Sequence, residues 1–511
     1  MNAPARPESK WRLAADAAKL WGGTVVEQLF ALARGVVLPR WLGPTSYGVF
    51  GGLGLILKYG AYLQLGLTNA AGREIPYALA ADERARADAI ARAVYGFSFF
   101  ASVIPAAALA LYAVATWGHY RPEVSWGLVT FAVLLVTGRF ELLFDALFQA
   151  RRQFGSSFAF TAVKAAVSFA LVVGLLYFYR LYGVYVGLVA SGVIFWLVGT
   201  AWTRSWAAPW PDWRVIRTLL KIGLPFVGIG ALGFFLQSFD RLLVIKFLPG
   251  KTLGYYMLAT TVVSFIYIIP LNVGQAMAPR IFALPREGDH AAFEEYVARP
   301  TLVITFLVAA VGGLAILALI PFVRYVLPAY EPAVPVVAAL LVGVTCQGGV
   351  QGAGFTLIAL GRFGVIALAQ LVALVIGGAV VGAALLRGWG LVGVGLGSSA
   401  ALVVYSFLLQ ALAVRAMSLG RRKWVAAYAY LLLPPAAVAA ALTVAFEVGG
   451  FLAKPWFREA PQPAGDLATF GVRVVLFAVP LALCGLYVER QTGIARRAWT
   501  AARERLSRHG R

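Results

Sequence analysis

Apolar stretches of about twenty residues alternate with short polar breaks along the whole chain. Twenty helical residues at ~1.5 Å rise span the ~30 Å hydrocarbon layer of a bilayer. Within each stretch the apolar residues run on instead of alternating with polar ones, which predicts helices and argues against barrel strands. The pattern places fourteen spans, at about 17–38, 45–70, 93–116, 124–149, 155–179, 182–203, 218–239, 253–278, 300–323, 333–360, 364–386, 389–414, 424–446 and 467–488. The fold class expected is therefore all-α, a polytopic membrane protein. The longest outer connection, about Glu447 to Asp466, is too short to fold as a domain. Any chemistry must lie within or between helices.

An even number of spans puts both termini on one side. Of the 44 Lys and Arg residues, 29 fall on the side shared by the termini and 10 on the other, with Arg34, Lys58, Arg139, Lys164 and Arg473 inside spans. The positive-inside rule makes the terminal side cytoplasmic. Arg6, Lys10, Arg12 and Lys19 precede a first span that contains Glu27 and Arg34 and has no small-residue cleavage site nearby. A retained first helix is expected, not a cleaved leader.

An internal repeat emerges next. RGVVLPRWLGPTSYG from Arg34 is echoed by RLLVIKFLPGKTLGYY from Arg241. Arg34 to Arg241 and Arg73 to Arg280 are each 207 positions apart, and Gly48 to Gly254 is 206. Six spans separate the copies, so the halves share one orientation and are expected as two pseudo-symmetric six-helix lobes related by an axis along the membrane normal. The expected division is residues 1–203 for the N-terminal lobe and 204–221 for a cytoplasmic linker carrying Trp206, Trp210 and Trp213. Residues 222–417 make the C-terminal lobe, and 418–511 the last two helices with a basic tail.

Composition sharpens this picture. Apolar residues are 61% of the 511 and charged residues 13%, whereas a soluble domain is roughly half apolar and a quarter charged. In a soluble chain the net charge of +22 would suggest nucleic acid; here it is a topology signal, and no nucleic-acid partner is expected. Cys346 and Cys484 lie in apolar stretches without metal-like spacing, and His119, His290 and His509 do not form a ligand set. There is no Gly-rich phosphate loop, HExxH, CxxC or acidic DxD in an early outer loop. No catalytic residue, metal or cofactor is expected.

Charge inside the hydrocarbon costs roughly 2.5–3.5 kcal/mol per side chain, so such groups mark cavities or pairs. Glu27, Arg34, Lys58, Arg139, Glu141, Asp145 and Lys164 all fall in the first five spans. Lys58 sits mid-way along 45–70, and Lys164 about ten residues into the fifth span. Each suits either an anionic cargo or a carboxylate such as Glu141. Glu27 and Arg34, two helical turns apart, share a face. Glu141 and Asp145 form an i, i+4 pair that, with Arg139, suits ion pairing or ion coupling. Asp240 and Arg241 follow the seventh span.

Two segments carry a resemblance: ARGVVLPRWLGPTSYGVFGGLGLILKYGAYLQLGLTNAAGREI, and LLKIGLPFVGIGALGFFLQSFDRLLVIKFLPGKTLGYYMLATTVVSFIYIIPLNVGQAMAPRIF. Over about residues 15–415 the chain resembles the polysaccharide and oligosaccharide-lipid flippases of the superfamily that also holds the multidrug and toxin extruders. That resemblance implies a V-shaped, two-lobe transporter. Its implied cargo is a polyprenyl-pyrophosphate-linked sugar, such as an exopolysaccharide or O-antigen repeat unit, moved outward across a bacterial inner membrane. Membrane lipids, a glycan polymerase and export machinery would be its partners. Arg34, Lys58, Lys164 and Arg241 would meet the pyrophosphate, since Lys offers a point charge and Arg a fork. Glu27, Arg139, Glu141, Asp145 and Asp240 would couple ions or pair. The rival readings are a lipid II flippase, a drug extruder, whose cavity would call for acidic residues, and a membrane polymerase or ligase of lipid-linked sugars.

Overall fold

The computed structural model describes residues 10–151, 153–203, 212–282, 297–417, 421–457 and 464–493. Trp206, Trp210 and the basic C-terminal tail lie outside them. Fifteen α-helices appear among the described residues, with short 3-10 turns between some of them. The first eight are α1 (Lys10–Gly60), α2 (Leu67–Ala80), α3 (Arg84–Ala115), α4 (Pro122–Ala150), α5 (Phe154–Thr203), α6 (Trp213–Leu236), α7 (Phe239–Phe247) and α8 (Gly250–Phe282). There follow α9 (Arg299–Val326), α10 (Val334–Gly349), α11 (Gln351–Ala359), α12 (Phe363–Leu386), α13 (Gly390–Ala416), α14 (Arg421–Phe457) and α15 (Ala464–Thr492).

Every stretch marked as a span is helical over most of its length. Ten helical segments among the described residues are long and apolar enough to cross a membrane, or eleven when α6 and α7, bent by 43° at their junction, count as one. Two of the long helices are really pairs. Gly43 interrupts α1 with φ 73°, a conformation glycine adopts freely, and Pro44 opens the second piece where its missing N–H costs nothing. Arg180 interrupts α5 at φ 49°, and the two pieces fold back on each other.

That hairpin shows how small residues set helix spacing. A Cβ on Gly183 would lie 2.0 Å from the Leu175 carbonyl oxygen, one on Gly187 would lie 2.9 Å from Val172 Cα, and Ser191 Oγ donates to Ser168 Oγ at 3.4 Å. Gly183, Gly187 and Ser191 form a small-xxx-small stripe, the means by which helices approach closely in lipid. The same device recurs in α12 and α13, where Gly393 meets Ala384, Gly397 meets Val381 and Gly377 meets Ala401. Another pair repeats as well. Leu135 packs with Ala106, and 206 positions on, Leu341 packs against Gly312. The α4 contact recurs at the 206-residue offset read from the sequence, and the contacts of the α5 hairpin recur in α12 and α13 at offsets of 209 and 210.

The chain divides into two compact units, Met1–Ala231 with Pro249–Met257, and Leu232–Leu248 with Leu258–Arg511. In the first, α4 turns Phe140, Leu143, Phe144, Leu147 and Phe148 toward a buried core that includes Phe160 and Phe195 of α5. Phe160 sits 5.7 Å from Phe148 and 5.7 Å from Phe195, centroid to centroid, the spacing aromatic pairs prefer. In the second, α14 and α15 dock on α9 through Ala309, Leu317, Val438, Ala441, Ala445 and Phe477. An ion pair, Arg324 to Asp466 at 2.8 Å, joins α9 to α15 at one end.

Candidate functional site

The Phe face of α4 leaves its other face to Glu141 and Asp145, one turn apart. The first half of α5 brings Ser157, Thr161 and Lys164 along one side, at spacings of four and three, and the first half of α1 contributes Glu27 and Arg34. These three helices build one charged cluster. Lys164 Nζ lies 3.4 Å from Glu141 Oε2 and 3.6 Å from Glu27 Oε1. Asp145 accepts hydrogen bonds from Thr161 Oγ1 at 3.2 Å and Ser157 Oγ at 3.3 Å. Arg34 lies within electrostatic reach of both Glu27 and Glu141.

Side-chain exposure is 16% for Lys164, 22% for Glu141 and 42% for Glu27, so the cluster is neither sealed nor open. Each member has a countercharge or hydroxyl to offset desolvation. Of the two roles the sequence allows Lys164, pairing with a carboxylate is the one seen, and its carboxylates are Glu141 and Glu27.

Lys58 stands differently from expectation. The span drawn at 45–70 is broken: the second piece of α1 ends at Gly60, a 3-10 turn runs over Ala61–Gln64, Leu65 and Gly66 are left-handed, and α2 starts at Leu67. Lys58 is exposed in the last turn before the break and not central in a continuous helix. Gly66, at φ 78°, is also where the backbone meets Gly223 of α6, since a Cβ on it would lie 2.7 Å from the Gly223 carbonyl oxygen. Arg139, 5% exposed, reaches across from α4 and donates from Nη2 to the Leu57 carbonyl at 3.1 Å. Gln64 Nε2 in turn donates to the Arg139 carbonyl at 3.4 Å, and Thr68 bonds to Gln64. Arg139 Nε and Nη1 are buried without a hydrogen-bond partner.

Arg241 and Asp240 belong to the second unit. The sequence puts them in a connection after the seventh span, whereas they lie in the first turn of α7. Asp240, 1% exposed, accepts the Arg241 backbone N–H at 2.7 Å. Sequence reading missed Ser157, Thr161, Gln64 and the break itself. Gly60 and Gly66 flanking a Leu/Gln-containing pentad were the available signal.

The chain matches the polysaccharide biosynthesis protein family over residues 37–335. It belongs to that family. No curated protein matches it. Among solved structures it is similar to a lipid II flippase, MurJ, in an inward closed conformation, at 12% identity and TM-score 0.68, covering 92% of this chain and 98% of that one. It is also similar to an inward-facing multidrug resistance MATE transporter of the MOP superfamily, at 15% identity and TM-score 0.59, covering 81% and 99%. A MATE transporter of Vibrio cholerae, VcmN, gives 14% identity and TM-score 0.58, covering 80% and 96%. The family member thus has a multi-pass membrane fold shared with both kinds of transporter.

Proposed function

We propose that this protein is a flippase, not an enzyme, and moves a polyprenyl-pyrophosphate-linked oligosaccharide from the inner to the outer leaflet of a bacterial cytoplasmic membrane by alternating access. The observation that carries the reading is the match to a polysaccharide biosynthesis family over most of the first lobe and into the second. A transporter fold and a charged cluster inside an otherwise apolar lobe support it. Lys58, Arg34 and Lys164 of the first unit are the cations proposed to meet the pyrophosphate, and Arg241 is a cargo-facing cation proposed for the second unit by itself. Glu27, Glu141 and Asp145 are the proposed coupling or pairing groups. Both termini are cytoplasmic in this reading, which follows the division of basic residues.

Lipid II is the second cargo considered, because likeness to the MurJ structure extends over 92% of the chain. Reconstituted vesicles holding fluorescent polyprenyl-pyrophosphate oligosaccharide in the outer leaflet test both. Protein-dependent loss of signal to a membrane-impermeant quencher is expected. Chain elongation in the same vesicles would instead mark a polymerase, and movement of lipid II alone would reassign the cargo.

A further inference from the structure

Positions that match across the repeat differ in chemistry. In the first half Asp145 accepts from Thr161. The contacts of the paired helices give offsets of 206 for α4 and 209 for the first half of α5, so these residues correspond to Gln351 on α11 and Gln370 on α12. Gln351 Nε2 donates to the hydroxyl of Tyr267 on α8 at 2.7 Å. Gln370 is hydrogen-bonded to Tyr405 on α13, and the two phenols lie close enough to interact. Four helices of the second unit therefore converge on two amides and two phenols, with no formal charge in the group. Gln370 is buried, while Tyr267, Gln351 and Tyr405 keep partial exposure.

Where the first half carries ions, the second carries groups that both donate and accept. Ions suit a phosphate; paired donors and acceptors beside aromatic rings suit the hydroxyls and C–H faces of a sugar. In lipid, four polar side chains drawn from four helices are costly to keep for packing alone, since apolar residues of the same volume would satisfy the core without desolvation. We infer that Tyr267, Gln351, Gln370 and Tyr405 form a subsite for neutral glycosyl residues of the cargo.

This subsite rests on the proposed function, and the experiment keeps the two separable. Purified protein in detergent is titrated with polyprenyl pyrophosphate bearing no sugar and with the same lipid bearing a neutral oligosaccharide, with binding read by tryptophan fluorescence. The wild type is expected to bind the sugar-bearing lipid more tightly. Tyr405→Phe and Gln351→Leu should each lose about 10-fold for that lipid, the loss of one hydrogen bond, and nothing for the bare lipid. Melting temperature is followed alongside, and Gln351→Asn replaces Gln351→Leu if the latter does not fold. Equal affinity of the wild type for both lipids, or equal losses on both in the variants, would overturn the subsite. Absence of flipping in vesicles despite sugar-dependent binding would overturn the transport reading and leave the subsite standing.

Discussion

Gly48 and Gly254 occupy the same place in the two copies of the repeat, 206 positions apart, and they touch each other. A Cβ on Gly48 would lie 2.7 Å from the Gly254 amide nitrogen, and one on Gly254 would lie 1.9 Å from the Pro44 carbonyl oxygen. The same sequence anchor that reveals the duplication is thus a contact between its copies, where the second piece of α1 meets the start of α8. Backbone cannot yield as a side-chain tip can.

Gly254→Ala should therefore force the two helices apart at a cost of about 1–3 kcal/mol, the range for overpacking. Gly250→Ala, one turn earlier with open space around it, should change nothing. Melting temperatures in detergent compare them, and equal values for the two variants would remove the close contact as an explanation of this glycine.

Lys164 holds two carboxylates, so Lys164→Ala leaves Glu27 and Glu141 facing each other without a cation. Breaking a buried pair costs several kcal/mol, but Glu27 is 42% exposed and water screens part of the loss. A destabilisation of about 1–3 kcal/mol is expected. Adding Glu141→Gln should recover part of it, because the remaining charge is the more exposed Glu27. Failure of that second substitution to recover any stability would show that Lys164 is not there to balance Glu141.

Much of this was legible from the pattern of apolar residues, because a lipid solvent imposes one secondary structure and one length. The duplication was legible too, from Arg34/Arg241 and Gly48/Gly254. What the pattern could not show was interruption within an apolar run. The Gly60–Leu67 break and the α6–α7 bend lie inside stretches that remain hydrophobic, and partner choice follows three-dimensional register. Lys58 and Lys164 were equal candidates for Glu141 by sequence. Only the placement of α5 beside α1 and α4 decides for Lys164.

Lys58 and Arg34 are proposed to act on cargo, and Lys58 is exposed at the end of its helical piece. Lys58→Ala should reduce flipping at least about tenfold, the worth of one charge-assisted contact. Lys58→Arg should retain part of the activity, since the phosphate responds to charge before geometry. Arg34→Ala should behave similarly, with some loss of stability from its neighbours Glu27 and Glu141. Full transport by Lys58→Ala would exclude the lysine from the cargo path.

Topology follows from the 29 to 10 division of basic residues. In a variant with Cys346 and Cys484 replaced, a cysteine at Pro461 should react with an impermeant maleimide in intact cells, and one at Ser507 only after lysis. The opposite order would invert the protein and the direction assigned to transport.

Arg139 offers the sharpest test of how the broken second span is held. The Leu57 carbonyl lies in the last turn of its helical piece, where the helix dipole favours positive charge, and the guanidinium donates to it from α4. Gln64 returns a bond to the Arg139 carbonyl, so both sides of the break are tied to α4. In the second half the position 206 further on is Thr345, which bonds to Leu341 of its own helix at 2.8 Å, and the corresponding stretch of α8 is continuous. The arginine goes with the break. Arg139→Gln should therefore remove the charge-assisted tie between α4 and the break, cost about 1–3 kcal/mol, and speed amide exchange over residues 61–67 without affecting residues 141–150. Thr345→Val, which removes only a bond within one turn, should cost less than about 0.5 kcal/mol and change exchange nowhere. If Arg139→Gln leaves exchange at 61–67 as it was, the break is held by something other than this arginine, with the Gly66–Gly223 contact next in line.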